Sequence, residues 1–121
     1  MTPTVTVHAD PALGSVALHI VIGGPGVQPN TIVELLKPGA PAQQVAGPTQ
    51  SANIDLPILI APQYLPGCSL GCQVTLAGLV PNSSWAVTAF ATQGSLNLGA
   101  AVDHGVLASG ATISTVWIIF Q

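Results

Sequence analysis

The chain has no arginine and one lysine, Lys37. Its acids are Asp10, Glu34, Asp55 and Asp103, so charged residues make up 4% of the 121 residues. An ordinary soluble domain carries about 25%. This scarcity excludes several kinds of partner. Neutralising a phosphate backbone takes several cations, so the sequence predicts no nucleic acid. An anionic lipid surface is excluded for the same reason. Four acids in all also leave little room for the paired carboxylates of glycoside chemistry.

Long apolar runs are missing as well. Every hydrophobic stretch is broken by Gly, Pro or polar residues before the roughly 20 residues that a spanning helix needs, so no transmembrane segment is expected. Residues 1–10 show neither a basic region nor an apolar core, and no secretory signal is visible there. Helix signals are scarce too, because eleven prolines and thirteen glycines are spread along the sequence and interrupt most windows that could propagate a helix. Low charge accompanies disorder only when hydrophobicity is also low. Here 49% of residues are hydrophobic, which predicts a folded chain. The length fits one domain, residues 1–121, large enough to bury a core without metals or a dense disulfide framework.

Strand signals are plentiful. Residues 4–8 alternate, with Val5 and Val7 on one face. Residues 15–22 alternate with Val16, Leu18, Ile20 and Ile22 on one face and His19 on the other. Gly23-Gly24-Pro25-Gly26 is a turn. Further strands are expected at 31–36, 43–50 (a short edge strand), 52–56, 73–79, 85–92 and 112–120. Within them Ile54 and Leu56, Val74 and Leu76, and Trp85, Val87 and Ala89 point inward. Seven or eight short strands separated by turns predict an all-β antiparallel sandwich of two sheets, as an immunoglobulin-like Greek key or a jelly roll.

Residues 76–89 contain Leu79, Pro81 and Trp85. In that segment a strand ends in Leu, a Pro-containing corner follows, and an aromatic opens the next strand. It resembles the E-strand, corner and F-strand of fibronectin type III and related immunoglobulin-like domains. The family prefers Tyr at the position held by Trp85 and bonds its hydroxyl back to the corner. The resemblance implies a sandwich fold and no function.

Few residues could carry chemistry. Cys68 and Cys72 have C-x3-C spacing and no matching Cys or His pair for a four-ligand zinc site. A local disulfide shaping a loop tip is the expectation, with two free thiols as the alternative; if formed, the bond points to an oxidising compartment. His8 with Asp10, and Asp103 with His104, could gather around a metal, or serve as polar residues at strand ends and turns. Residue types for a Ser–His–Asp triad exist, but no Gly-x-Ser-x-Gly elbow accompanies them. The sequence predicts no enzyme, cofactor or metal site. Asn82-Ser83-Ser84 fits the glycosylation acceptor pattern and equally a turn held by local hydrogen bonds.

The remaining expectation is association. Residues 116–120 are apolar on both faces, whereas a strand covered on one side should alternate, so the outer face is expected to be covered either by another subunit or by a loop of the same chain. Only Glu34 and Lys37 could guard a sheet edge, where charges normally prevent pairing between molecules. The lone lysine precedes Pro38, which leaves almost nothing for trypsin-like proteases. Together these point to a self-associating structural subunit of an extracellular or surface-exposed filament, sheath, coat or virion. Its partners are copies of itself, with Val5, Val7, Val116, Ile118 and Phe120 at the contact. A carbohydrate-binding or adhesion module is the alternative, with Gln63 and Tyr64 against a glycan or surface ligand. A surface-active film protein capped by the apolar loop at residues 58–65 is a third reading.

Overall fold

The computed structural model describes residues 2–121. Nine strands form: β1 (Thr4–Val7), β2 (Val16–Gly23), β3 (Val27–Leu36), β4 (Gln43–Thr49), β5 (Asn53–Pro57), β6 (Ser69–Gly78), β7 (Ser83–Gln93), β8 (Leu96–Leu107) and β9 (Ala111–Phe120). A single 3-10 turn, Pro62–Tyr64, is the one helical element among the described residues. The strands make a five-stranded sheet, β1-β9-β6-β3-β4, and a four-stranded sheet, β5-β2-β7-β8. The pair β1/β9 is parallel; every other pair is antiparallel. This is the two-sheet all-β sandwich expected from the alternation, in keeping with immunoglobulin-like folds in general. Pairing nests, with β3/β6 in one sheet inside β2/β7 in the other.

The period of two sorts the side chains. From β2, Val16, Leu18, Ile20 and Ile22 enter the core, and from β7 Val87, Ala89 and Ala91 join them. The facing sheet supplies Val33 and Leu35 of β3, Leu70, Val74 and Leu76 of β6, and Val116, Ile118 and Phe120 of β9. Each such aliphatic side chain contributes roughly 1.5–3 kcal/mol by leaving water. The core therefore holds the sheets together without ion pairs.

Three expectations change. Val7, Val116, Ile118 and Phe120 are interior residues, each no more than 3% exposed, and Val5 is partly buried against them. They are not surface that a second copy can touch. The outward residues of β9 are Ile113, Thr115, Trp117 and Ile119, and the Trp117 ring lies over Gly71, where a Cβ would come within 2.8 Å of it. The outer face of the last strand is thus partly covered by its own aromatic. The terminal strands also complete their own sheet, since Val7 is registered with Phe120 and Gln121 N–H donates to Val7 O at 2.9 Å.

The cysteines are not bonded. Residues 68–72 were expected to pinch a loop, but Ser69 already begins β6. Four extended residues span about 13 Å, well beyond the roughly 7 Å Cα separation that a disulfide tolerates. Both thiols are buried, and the Cys68 S–H donates to Tyr64 O at 3.6 Å. Burial pushes the Cys72 thiol from 9.0 up to about 12. The pair therefore gives no pointer to an oxidising compartment.

The third change is β8, twelve residues long and the longest strand, which the alternation did not reveal. Its Ala100, Ala101, Gly99 and Gly105 dilute the β-branched signal. The corner after β6 does cross from one sheet to the other. Its Leu79 is 67% exposed, and the Trp85 indole covers Gly105 of β8.

Candidate functional site

Among the described residues, the one side-chain network that joins three polar groups across strands lies on the outer face of the four-stranded sheet. There β5, β2 and β7 are neighbours, and their register places Asp55 and Phe90 on either side of His19. Residues directly across a pair share a face. His19, set outward by the alternation of β2, is thus flanked by a carboxylate and a ring. Its Nδ1 is 2.6 Å from Asp55 Oδ1, and its Nε2 is 2.8 Å from Thr92 Oγ1 on the diagonal. An ionised carboxylate can only accept, so the neutral ring donates from Nδ1 to Asp55 and accepts the Thr92 hydroxyl proton at Nε2. Phe90 stacks against the imidazole at 4.9 Å between centroids and 22° between planes.

The order carboxylate–imidazole–hydroxyl is that of a nucleophilic triad. The surroundings are not. Acyl transfer also needs converging donors where the oxyanion forms. Here β2 and β7 are interior strands, so their N–H groups are spent in ladders to β5, to each other and to β8. Asp55 is exposed, and Thr92 lines neither of the two grooves described. The network orders a polar patch and fixes the His19 ring.

The second feature is at the open end of the sandwich. The chain leaves β4, an edge of one sheet, and enters β5, an edge of the other. No strand closes that side, and a groove of about 470 Å³ lies between the end of the β3/β4 hairpin and the segment after β5. Leu35 and Leu70 form its buried floor, and Val45, Leu56, Ile58 and Ile60 its walls. Lys37, Gln43 and Gln44 stand at its rim.

The residues singled out from the sequence do not converge. His8 Nδ1 donates to Gln121 O at 3.0 Å. Asp10 accepts from the Ala12 N–H at 2.9 Å. Asp103 lies inside β8, where it accepts from the His104 N–H at 3.0 Å and the Ser114 hydroxyl at 2.7 Å. Among the described residues no three His, Cys, Asp or Glu side chains are placed to hold a metal. Gln63 and Tyr64 sit on the 3-10 turn, with Tyr64 71% exposed. In the loop at 58–65, Ile58, Pro62 and Leu65 turn inward while Leu59 stays outside. Asn82 is an exposed turn residue with φ 59°, beside a Ser83 hydroxyl that donates to Val80 O at 2.6 Å. Among the described residues no helix is long and apolar enough to cross a membrane.

Sequence reasoning missed the His19–Asp55–Thr92 network. The three residues are 36 and 73 positions apart, and only the strand register brings them together. The outward position of His19 was legible; its partners were not.

Compared with protein-family models, curated proteins and solved structures, the chain matches none.

Proposed function

We propose that the protein is a non-enzymatic structural subunit that associates with copies of itself, as in an extracellular filament, sheath, coat or virion surface. The observation that carries this reading is the character of β8. Sheet edges present unpaired N–H and C=O groups, and monomeric proteins blunt them with short strands, prolines, bulges or charge. Three of the four edges here are short or interrupted by proline. β1 has four residues, β5 has five and ends in Pro57, and β4 contains Pro48 and loses register with β3 twice. β8 has twelve residues and no Pro, Lys or Arg; its guards are the inward-pointing Asp103 and one register shift against β7.

Its outer face adds apolar area. Val102 and Val106 are 49% and 66% exposed, and Val21 lies in the same cross-strand row as Val102 through Thr88. Antiparallel pairing of β8 with β8 of a second copy extends the four-stranded sheet through both molecules and covers Val102 on the two-fold axis. With one lysine and four acids in the whole chain, little charge repulsion opposes such contacts.

The test is the mass in solution by light scattering, with negative-stain microscopy of the same sample. A mass above 12.1 kDa that rises with concentration is expected. The double variant Val102→Lys/Val106→Lys, placed on an already exposed face, is expected to return it to a monomer. A 12.1 kDa monomer at every concentration refutes the proposal.

A further inference from the structure

The groove at the open end combines two features found together nowhere else on the described surface. Its interior is hydrocarbon: Leu35, Leu70, Val45, Leu56, Ile58 and Ile60. Its rim holds Lys37, the only Lys or Arg in the chain. No acid lines it. Glu34, the nearest acid in sequence, is registered with Gln44 and Gly71 on the outer face of β3. Asp55, the nearest acid on β5, is turned to His19. The ammonium at the rim is therefore not neutralised by a carboxylate of the groove. Beside it, Gln43 and Gln44 bring carboxamides, and Gln44 Nε2 has given one hydrogen to Gly47 O at 2.7 Å.

We propose that this groove binds a free amphiphile with a carboxylate head and an unbranched hydrocarbon tail, the class of medium-chain fatty acids. The head pairs with Lys37 and takes an amide hydrogen from Gln43, which is registered with the groove-floor Leu35. The tail lies over Leu35 and Leu70 between Val45 and Ile58. Three physical points select this class. An apolar slot rewards a tail by burial. A single cation with neutral donors suits one negative charge, not the several of a nucleotide or polyanion. The size agrees as well. The volume of about 470 Å³ lies within the usual range of small-molecule sites.

The test is isothermal titration calorimetry with sodium dodecanoate below its micellar concentration, on the full chain. Dodecyltrimethylammonium and 1-dodecanol serve as probes with the same tail and a positive or neutral head. Dodecanoate is expected to bind one per chain with a dissociation constant on the order of 10–100 μM. Lys37→Gln, an exposed substitution that leaves the core intact, is expected to weaken it about tenfold. 1-Dodecanol is expected to bind the native protein no better than dodecanoate binds Lys37→Gln. Absence of saturable heat with dodecanoate overturns the proposal. So does equal affinity for the trimethylammonium probe, or an unchanged affinity in Lys37→Gln, since either means undirected adsorption. Co-sedimentation with phosphatidylserine vesicles without dodecanoate binding also overturns it, in favour of a lipid surface. The outcome is independent of self-association, which the mass of the same samples reports separately.

Discussion

Replacing Gln93 by Met tests whether one buried amide anchors the first long loop to the sandwich. Gln93 ends β7 and is only 2% exposed. Its Oε1 accepts from the Asp10 N–H at 2.9 Å, and its Nε2 donates to Asp10 O at 2.6 Å and Gly14 O at 2.7 Å. One side chain thus closes three hydrogen bonds to the connection between β1 and β2, a segment with no ladder of its own. Met has nearly the same length and volume and removes both polar atoms. A net worth of about 1 kcal/mol for each bond gives a loss of ~3 kcal/mol. Water that reaches the exposed Asp10 and Gly14 lowers this toward 2 kcal/mol. At about 4 °C for each kcal/mol in a chain of this size, the midpoint falls by roughly 8–12 °C. Urea denaturation measures the loss, and amide exchange of Asp10 places it. Gln93→Glu separates hydrogen bonding from packing. It keeps one acceptor and sets a second against two carbonyl oxygens, which holds its carboxyl above the usual range. Because that folded-state value lies above the unfolded one, stability is present at low pH and falls as pH rises, so the Glu variant recovers on acidification and the Met variant does not. A Met variant within about 0.5 kcal/mol of the native protein would refute the reasoning.

Two further outcomes follow from buried groups. The Cys72 thiol, pushed from 9.0 up to about 12 by burial, stays protonated in the fold; its contribution is complete below pH 9 and is lost as pH rises toward 12. Stability measured by urea is expected to fall as pH rises through that window, and Cys72→Ala is expected to remove that share of the fall. Thr31 is fully buried in β3 with no partner for its Oγ1 among the described residues, so Thr31→Val, which keeps the shape and removes the orphaned hydroxyl, is expected to raise stability by about 1 kcal/mol in thermal melts. A loss of stability would mean that the hydroxyl is satisfied in solution.

The parts of the fold that could be read from the sequence are those where burial is one-sided. Val16, Leu18, Ile20 and Ile22 alternate because β2 has the core on one face and water on the other. That placed His19 outside before any register was known. Ends were harder. β3 begins at Val27, four residues before its β-branched run, and tolerates Pro29 because only β6 pairs with it there. A proline without its N–H is acceptable on an open side. β6 begins at Ser69, inside a stretch whose Gly and Cys imitate a loop. Gly71 is there because the Trp117 ring occupies the space of its side chain, a tertiary reason that no local pattern carries. β8 escaped altogether, since Ala and Gly fill positions where neighbouring side chains provide the bulk, as Trp85 does over Gly105.

The candidate sites were less legible than the strands, and the reason is the same for both of them. Composition counts residues and cannot say which of them meet. A single lysine reads as a weak edge guard until the end of β3 is found beside an unclosed side of the sandwich. Three histidines and four acids allow many pairings, and the sequence neighbours His8/Asp10 and Asp103/His104 are the ones that adjacency favours. Strand pairing favours others: Asp55 meets His19 because β5 lies against β2 in antiparallel register, at a sequence distance that periodicity cannot bridge. Charge depletion then has two consequences at once. It leaves the long edge of β8 with one acid, Asp103, as its only charge, and it leaves Lys37 without a carboxylate in its groove. A surface with the usual complement of charge would suppress both the edge and the cation. Scarcity itself is therefore the feature that makes the few remaining charges, and the one long edge strand, informative about function.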